Sequence, residues 1–246
     1  MRKQIVVGNW KQNGDRLLCE EFAQGLGEFL GSTPIVGELA ICPPSVYIDM
    51  LVEALAMQGA QVGVGAQNLA AQESGAFTGE VSASMLKDVG ASYVIVGHSE
   101  RRAMFGDTDE LVAAKAAQAL AHGITPIVCV GEELPVREAG RHLDVVGQQI
   151  IAALSKLGGA ELIIAYEPVW AIGTGNTANA GQVQEMHAHI RSVAASFIDA
   201  QSTPILYGGS VNPSNSAELL GLPDVDGALV GGAALDLAKF TAIAQR

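Results

Sequence analysis

Apolar runs of strand length alternate with segments of helical periodicity from one end of the chain to the other. The first run, 4–10, is closed by polar Asn9 and Lys11. Asp15 can then cap a helix whose Leu18, Phe22, Leu26, Phe29 and Leu30 recur at helical spacing, ending at Gly31. A second run, 38–42, is stopped by Pro43 and Pro44. Ser45 caps a helix through Gln58, with Gly59 as its C-terminal glycine. Residues 61–66 read as a third strand, followed by a long polar loop, 67–79, and a short helix over 80–89. The fourth strand is 92–96, and an Ala-rich helix over 109–122 ends at Gly123. After a fifth strand at 124–130, one helix from about Val136 to Gly158 carries Leu143, Val146, Ile150, Leu154 and Leu157. The sixth strand, 162–165, is closed by Glu167-Pro168 and followed by a helix over 179–200. The seventh is 204–207, with a helix capped near Asn212-Pro213, and the eighth is 226–230, with a closing helix.

Nearly every predicted strand is a continuous apolar run rather than an alternating one, as in a parallel sheet covered by helices on its outer face. Eight such units with short connections and no break in composition match one α/β domain, 1–246, folded as a closed (β/α)8 barrel, the TIM barrel. A doubly wound open sheet is the competing architecture. It carries a glycine fingerprint after its first strand, and here that position holds Asn9-Trp10-Lys11.

Composition narrows the function. Lys and Arg number 14 against 26 Asp and Glu, a net charge of −12. Nucleic acid and anionic membrane are therefore not expected partners. An anionic ligand would need local dipoles and a few placed cations. Three scattered cysteines, Cys19, Cys42 and Cys129, point to a reducing compartment rather than a disulfide framework. The apolar run after Met1-Arg2-Lys3 is too short for a signal-peptide core, and a cytoplasmic location is expected.

In a barrel the loops after the strands share one face, which carries the site. That face collects Asn9, Lys11, His98, Glu167 and glycine turns at 173, 208–210 and 231–232. Each alone has a bland reading: a solvated lysine, a core histidine, a tight turn. Their shared rim favours function. Pro168 holds Glu167 extended at a strand tip, and Val169, Trp170, Ala171, Ile172 and Gly173 follow as a lid with apolar anchors. Backbone N–H groups after the last two strands, with Lys11 and the Gly173 amide, make a phosphate pocket. No metal cluster is expected. His187 and His189 are two apart on a predicted helix, so they do not share a face and are read as solvated. One carboxylate with neutral donors suits proton abstraction next to a carbonyl.

Asn9-Trp10-Lys11, Gly97-His98-Ser99-Glu100-Arg101-Arg102, the segment from Ala165 to Gly175, Tyr207-Gly208-Gly209-Ser210-Val211 and Val230-Gly231-Gly232 together resemble the triosephosphate isomerase family, in the family's order and over the whole chain. The resemblance implies interconversion of dihydroxyacetone phosphate and D-glyceraldehyde 3-phosphate through an enediol(ate), without metal or organic cofactor. By match, Glu167 is the base, His98 the neutral electrophile, Lys11 the positive charge, and Asn9 a donor to substrate oxygens. Glu100 matches an auxiliary acid near Lys11, and Gly173, Ser210, Gly231 and Gly232 hold the phosphate of a small triose. Loop 67–79 resembles the segment by which the family's subunits interlock, so Thr78 would reach a partner's site in a homodimer. One departure is Asn176, where the lid's end commonly carries Lys.

Two other readings stand beside this one. A Schiff-base aldolase needs a desolvated lysine near a strand end, and predicted strands four to eight contain none. A non-catalytic phosphosugar-binding barrel could discard Glu167 or His98, and both are present.

Overall fold

Eight parallel strands close on themselves in sequence order: β1 (Ile5–Asn9), β2 (Glu38–Cys42), β3 (Gly63–Ala66), β4 (Tyr93–Val96), β5 (Thr125–Glu132), β6 (Ile163–Pro168), β7 (Ile205–Tyr207) and β8 (Gly227–Val230). β8 pairs back onto β1, from Ile5 opposite Gly227 to Gly8 opposite Val230. The computed structural model describes residues 2–35, 37–172 and 177–245.

Side chains alternate across the pleat of each strand. Ile5, Val7, Ile95, Cys129, Ala165 and Leu229 belong to the cluster inside the barrel. Their neighbours Val6, Ile41, Val94, Val128, Ile164 and Val230 belong to the larger cluster between strands and helices. Both faces are dry, which explains the continuous apolar runs.

The helices among the described residues are α1 (Arg16–Ser32), α2 (Ile48–Met57), α3 (Ala83–Asp88), α4 (Ser99–Phe105), α5 (Asp109–Ala121), α6 (Leu134–Glu138), α7 (His142–Leu154), α8 (Ala180–Ala194), α9 (Ser216–Leu220) and α10 (Leu237–Ala244). Side-chain caps start several of them. Asp15 accepts from the Leu18 N–H at 2.8 Å, and Asn179 and Gln182 form a reciprocal capping box.

The structure corrects several expected boundaries: the helix expected over 80–89 is Ala83–Asp88, and the one expected to be capped near Asn212 begins at Ser216 after Asn215. Ser45 does not cap a helix; residues Ser45–Tyr47 form a 3-10 turn ahead of α2. The single helix expected from Val136 is two, α6 and α7, because Gly140 sits at φ 69°, a left-handed conformation that ends a helix. The helix from Asn179 stops at Ala194. Among the described residues no helix is long and apolar enough to cross a membrane.

Candidate active site

The parity that puts Ile163 and Ala165 inside the barrel carries Glu167 to its mouth, and that of Ile5 and Val7 carries Asn9 there. Both are buried, Glu167 at 2 % exposure. They stand at the C-terminal ends of the strands, where this architecture gathers its chemistry. Asn9 Oδ1 accepts the Lys11 backbone N–H at 2.9 Å. Lys11 has φ 52°, and it is the non-glycine residue with positive φ among those described. Strain of this kind persists only where the surroundings enforce it. Here Gln67 Nε2 donates to the carbonyls of Lys11 and Cys42, both at 2.8 Å. The Lys11 ammonium meets Glu100 Oε1 at 2.6 Å.

His98 caps α4: its Nδ1 accepts the Glu100 backbone N–H at 3.2 Å. A ring nitrogen that accepts belongs to a neutral imidazole whose other nitrogen carries the hydrogen. That other nitrogen, Nε2, lies 3.1 Å from Glu167 Oε1. Ser99 supplies two more donors to the same carboxylate, its backbone N–H to Oε2 and its hydroxyl to Oε1, each at 2.9 Å. Cys129 lies buried beside Glu167. Burial first, and the Glu167 charge second, push its thiol well above the ordinary value, which leaves it no role as a nucleophile.

A cavity of about 310 Å³ opens among Asn9, Lys11, His98, Ser210, Gly231 and Gly232. Among the described residues of its lining, Lys11 is the fixed cation. Ser210 Oγ donates to the Ala171 carbonyl at 3.2 Å, tying the turn after β7 to the 3-10 turn Val169–Ala171 that follows β6. A side chain on Gly208 would come within 3.0 Å of Glu167 Cγ and of the Tyr166 carbonyl, so a glycine is what leaves the base its room.

Asn9, Lys11, His98, Ser210, Gly231 and Gly232 thus converge as expected. Glu167 is turned toward Ser99 and lines an adjoining cavity of about 300 Å³. Glu100 lines another, of about 590 Å³, together with Gln67, Met104 and Phe105. Gly173 and Asn176 lie outside the described residues. Thr78 does not join its own chain's site; it is exposed on the loop between β3 and α3. Among the described residues no group of three or more His, Cys, Asp or Glu could hold a metal ion.

His187 corrects the expectation of a solvated side chain. It is fully buried, edge-on to Tyr166 with ring centroids 5.8 Å apart, and Nδ1 meets the Asp224 carbonyl at 3.2 Å. His189 is half-buried, with Nε2 at 2.9 Å from the Leu143 carbonyl. Sequence reasoning also missed Ser99 as the anchor of Glu167, though its place right after His98 in the motif was the available signal. It missed Glu132 as well, a buried acid at the end of β5.

The family model described as triosephosphate isomerase matches residues 4–246. Curated relatives are similar over their full length. A triosephosphate isomerase of Hydrogenovibrio crunogenus is 49% identical, covering 100% of this chain and 98% of the relative. Another, of Albidiferax ferrireducens, is 50% identical over 99% of this chain and 98% of the relative. One from Methylococcus capsulatus is 48% identical, with 99% and 98% covered.

Proposed function

The chain belongs to the triosephosphate isomerase family, and from that premise we propose how its own residues interconvert dihydroxyacetone phosphate and D-glyceraldehyde 3-phosphate. Glu167 takes a proton from one carbon of the bound triose and returns it to the neighbouring carbon. The Nε2–H of neutral His98 and the Asn9 amide donate to the substrate oxygens where negative charge develops, and an enediol(ate) is the intermediate. Lys11 supplies the positive charge, with Glu100 beside it at 2.6 Å setting the position of the ammonium. The phosphate lies against Ser210, Gly231 and Gly232, with Gly173 completing the contact from the lid. Closure of 168–176 then excludes water from the intermediate.

One observation carries this reading. A buried carboxylate stands 3.1 Å from the Nε2 of His98, beside a cavity whose described lining joins Lys11 to glycine turns. The test is a coupled isomerisation assay of the wild type beside Glu167→Gln. The variant should lose three orders of magnitude or more, on the order of what removal of a general base costs. Activity that survives the substitution would call for a different base.

We further propose that the active form is a cytoplasmic homodimer in which loop 67–79 of each copy reaches the other. Phe77 is exposed on that loop, and Met104 and Phe105, at 66% and 65% exposure, flank the cavity beside Glu100 and Lys11. Large apolar side chains grouped around a groove favour a protein partner. Sedimentation of Thr78→Arg should give a monomer of reduced activity, whereas an unchanged dimer removes this loop from the interface.

A further inference from the structure

The ladder between β4 and β5 ends early. Val96 is the last residue of β4 and lies opposite Val128, whereas β5 runs on beside β6 to Glu132. Gly97, at φ 70°, turns the chain away into α4. The edge of β5 beyond Val128 thus loses its strand neighbour, and backbone groups left there need other partners. The cavity of about 300 Å³ lined by Ser99 and Glu167 opens at this gap, with Gly97 and Gly131 in its wall.

Two side chains in the wall of that cavity take the place of the missing strand. Arg102, on α4, donates through Nη2 to the Cys129 carbonyl at 3.1 Å. Gln149, on α7, engages both groups of Gly131: its Oε1 accepts the backbone N–H at 2.8 Å, and its Nε2 donates to the carbonyl at 3.0 Å. A primary amide carries an acceptor and a donor side by side, as a peptide unit does. Gln149 therefore pairs with Gly131 as a further strand would.

Gly131 is the register partner of Glu167 across β5 and β6. The two backbones press together: a methyl group on Gly131 would collide with the Glu167 carbonyl oxygen and come within 3.2 Å of Glu167 Cβ. In so close a packing, a shift of Gly131 toward β6 has to move Glu167.

We infer that Gln149 is a positioning residue for the isomerisation: by pairing with Gly131 it fixes the stretch of β5 on which the backbone of Glu167 rests. The inference depends on Glu167 being the base. Water can replace the two bonds at little cost in stability, but it does not hold Gly131 at one distance from α7. Gln149 acts on strand backbone, so the Glu167 carboxylate remains free to leave Ser99 and the lid remains free to close.

The test uses the full chain and three variants, Gln149→Met, Gln149→Asn and Glu167→Gln. Met keeps the length of the side chain and makes neither bond, whereas Asn keeps the amide but is too short to reach both groups of Gly131. The readouts are kcat, the dissociation constant of inorganic phosphate, and the deuterium isotope effect on kcat. That effect is measured with dihydroxyacetone phosphate labelled at the carbon that gives up its proton.

Gln149→Met should lose about 10-fold in kcat through misplacement of the base. Its isotope effect should rise above that of wild type, because proton transfer becomes slow relative to lid opening and product release. Phosphate affinity should stay within about twofold, since Ser210, Gly231 and Gly232 line a different cavity. Gln149→Asn should fall in between, about threefold below wild type in kcat.

A merely structural pair would lower the melting temperature and leave kcat and the isotope effect at wild-type values, which overturns the proposal. A loss of kcat with an unchanged isotope effect also overturns it, because the slow step is then something other than proton transfer. So does a parallel loss of phosphate affinity, which marks a general distortion of the barrel mouth. If Gln149→Met fails to fold, Gln149→Asn carries the test on the same criteria. An active Glu167→Gln rejects the base and this inference with it. An inactive one beside a wild-type-like Gln149→Met rejects this inference alone.

Discussion

Ser99 holds the Glu167 carboxylate with both of its donors, the backbone N–H on Oε2 and the hydroxyl on Oε1, each at 2.9 Å. With His98 Nε2 on Oε1 at 3.1 Å, both oxygens are engaged before a substrate arrives. Catalysis must therefore begin with an exchange of partners. Ser99→Ala removes the hydroxyl bond and keeps the backbone one. A bond to a charged group that exists in the resting state and is given up on binding contributes to both states of the cycle unequally but modestly. The expected kcat/KM is within about tenfold of wild type by steady-state kinetics. A loss matching that of Glu167→Gln would instead put the Ser99 hydroxyl in the proton transfer itself.

Lys11 answers the electrostatic problem posed by a net charge of −12. Its ammonium lies in the cavity lining, 2.6 Å from Glu100. Lys11→Met should cost about two to three orders of magnitude in kcat/KM, the range for losing a charged contact to a developing anion. It should also weaken inhibition by inorganic phosphate. Unchanged phosphate inhibition would remove Lys11 from the phosphate contacts and leave it with the reacting oxygens alone.

Gly208 is a spacing residue. A methyl group there would lie 3.0 Å from both Glu167 Cγ and the Tyr166 carbonyl oxygen. Those neighbours must yield a few tenths of an ångström, and the side chain that moves most easily is the base. Gly208→Ala is expected to fold with a melting temperature within a few degrees of wild type, roughly what a cost below 1 kcal/mol gives. Its kcat should fall about 10-fold or more through misplacement of the base. Full activity would mean that the strand end after β7 shifts instead.

These three residues also mark what the sequence could and could not reveal. Strand ends were legible because a dry parallel strand is an uninterrupted apolar run, and the polar residue that stops it names the rim. Asn9, Lys11, His98 and Glu167 were found that way. Ser99 was not, because a serine after a histidine carries no local signal that its two donors turn back across the barrel to β6. Glu132 hides for a related reason: an acid beside Glu133 at a strand end looks solvated until Tyr166, Trp170 and Arg137 are seen to converge on it. The split between α6 and α7 depended on the conformation of Gly140, which an apolar periodicity running through it conceals.

His187 was misread because helical spacing gives the angle between two side chains, not which of them faces the sheet. Val183, Met186 and Ile190 are buried on α8, and His187 shares their face, against Tyr166 and Tyr207. Burial lowers its imidazole from 6.5 to about 3, and the opposing bond to the Asp224 carbonyl only partly offsets this. The sign follows directly. Between those two values the unfolded chain binds a proton that the native state does not, so stability is complete above about pH 6.5 and falls as the medium is acidified toward 3. A single group of this kind contributes a slope of about 1.4 kcal/mol per pH unit once the unfolded imidazole is fully charged. Urea unfolding at a series of pH values from 7 to about 4 should show this decline in the wild type. His187→Gln, which cannot take up that proton, should start less stable at pH 7, because it loses ring packing against two tyrosines, yet decline less steeply. Parallel slopes in the two proteins would assign the acid sensitivity to groups other than His187.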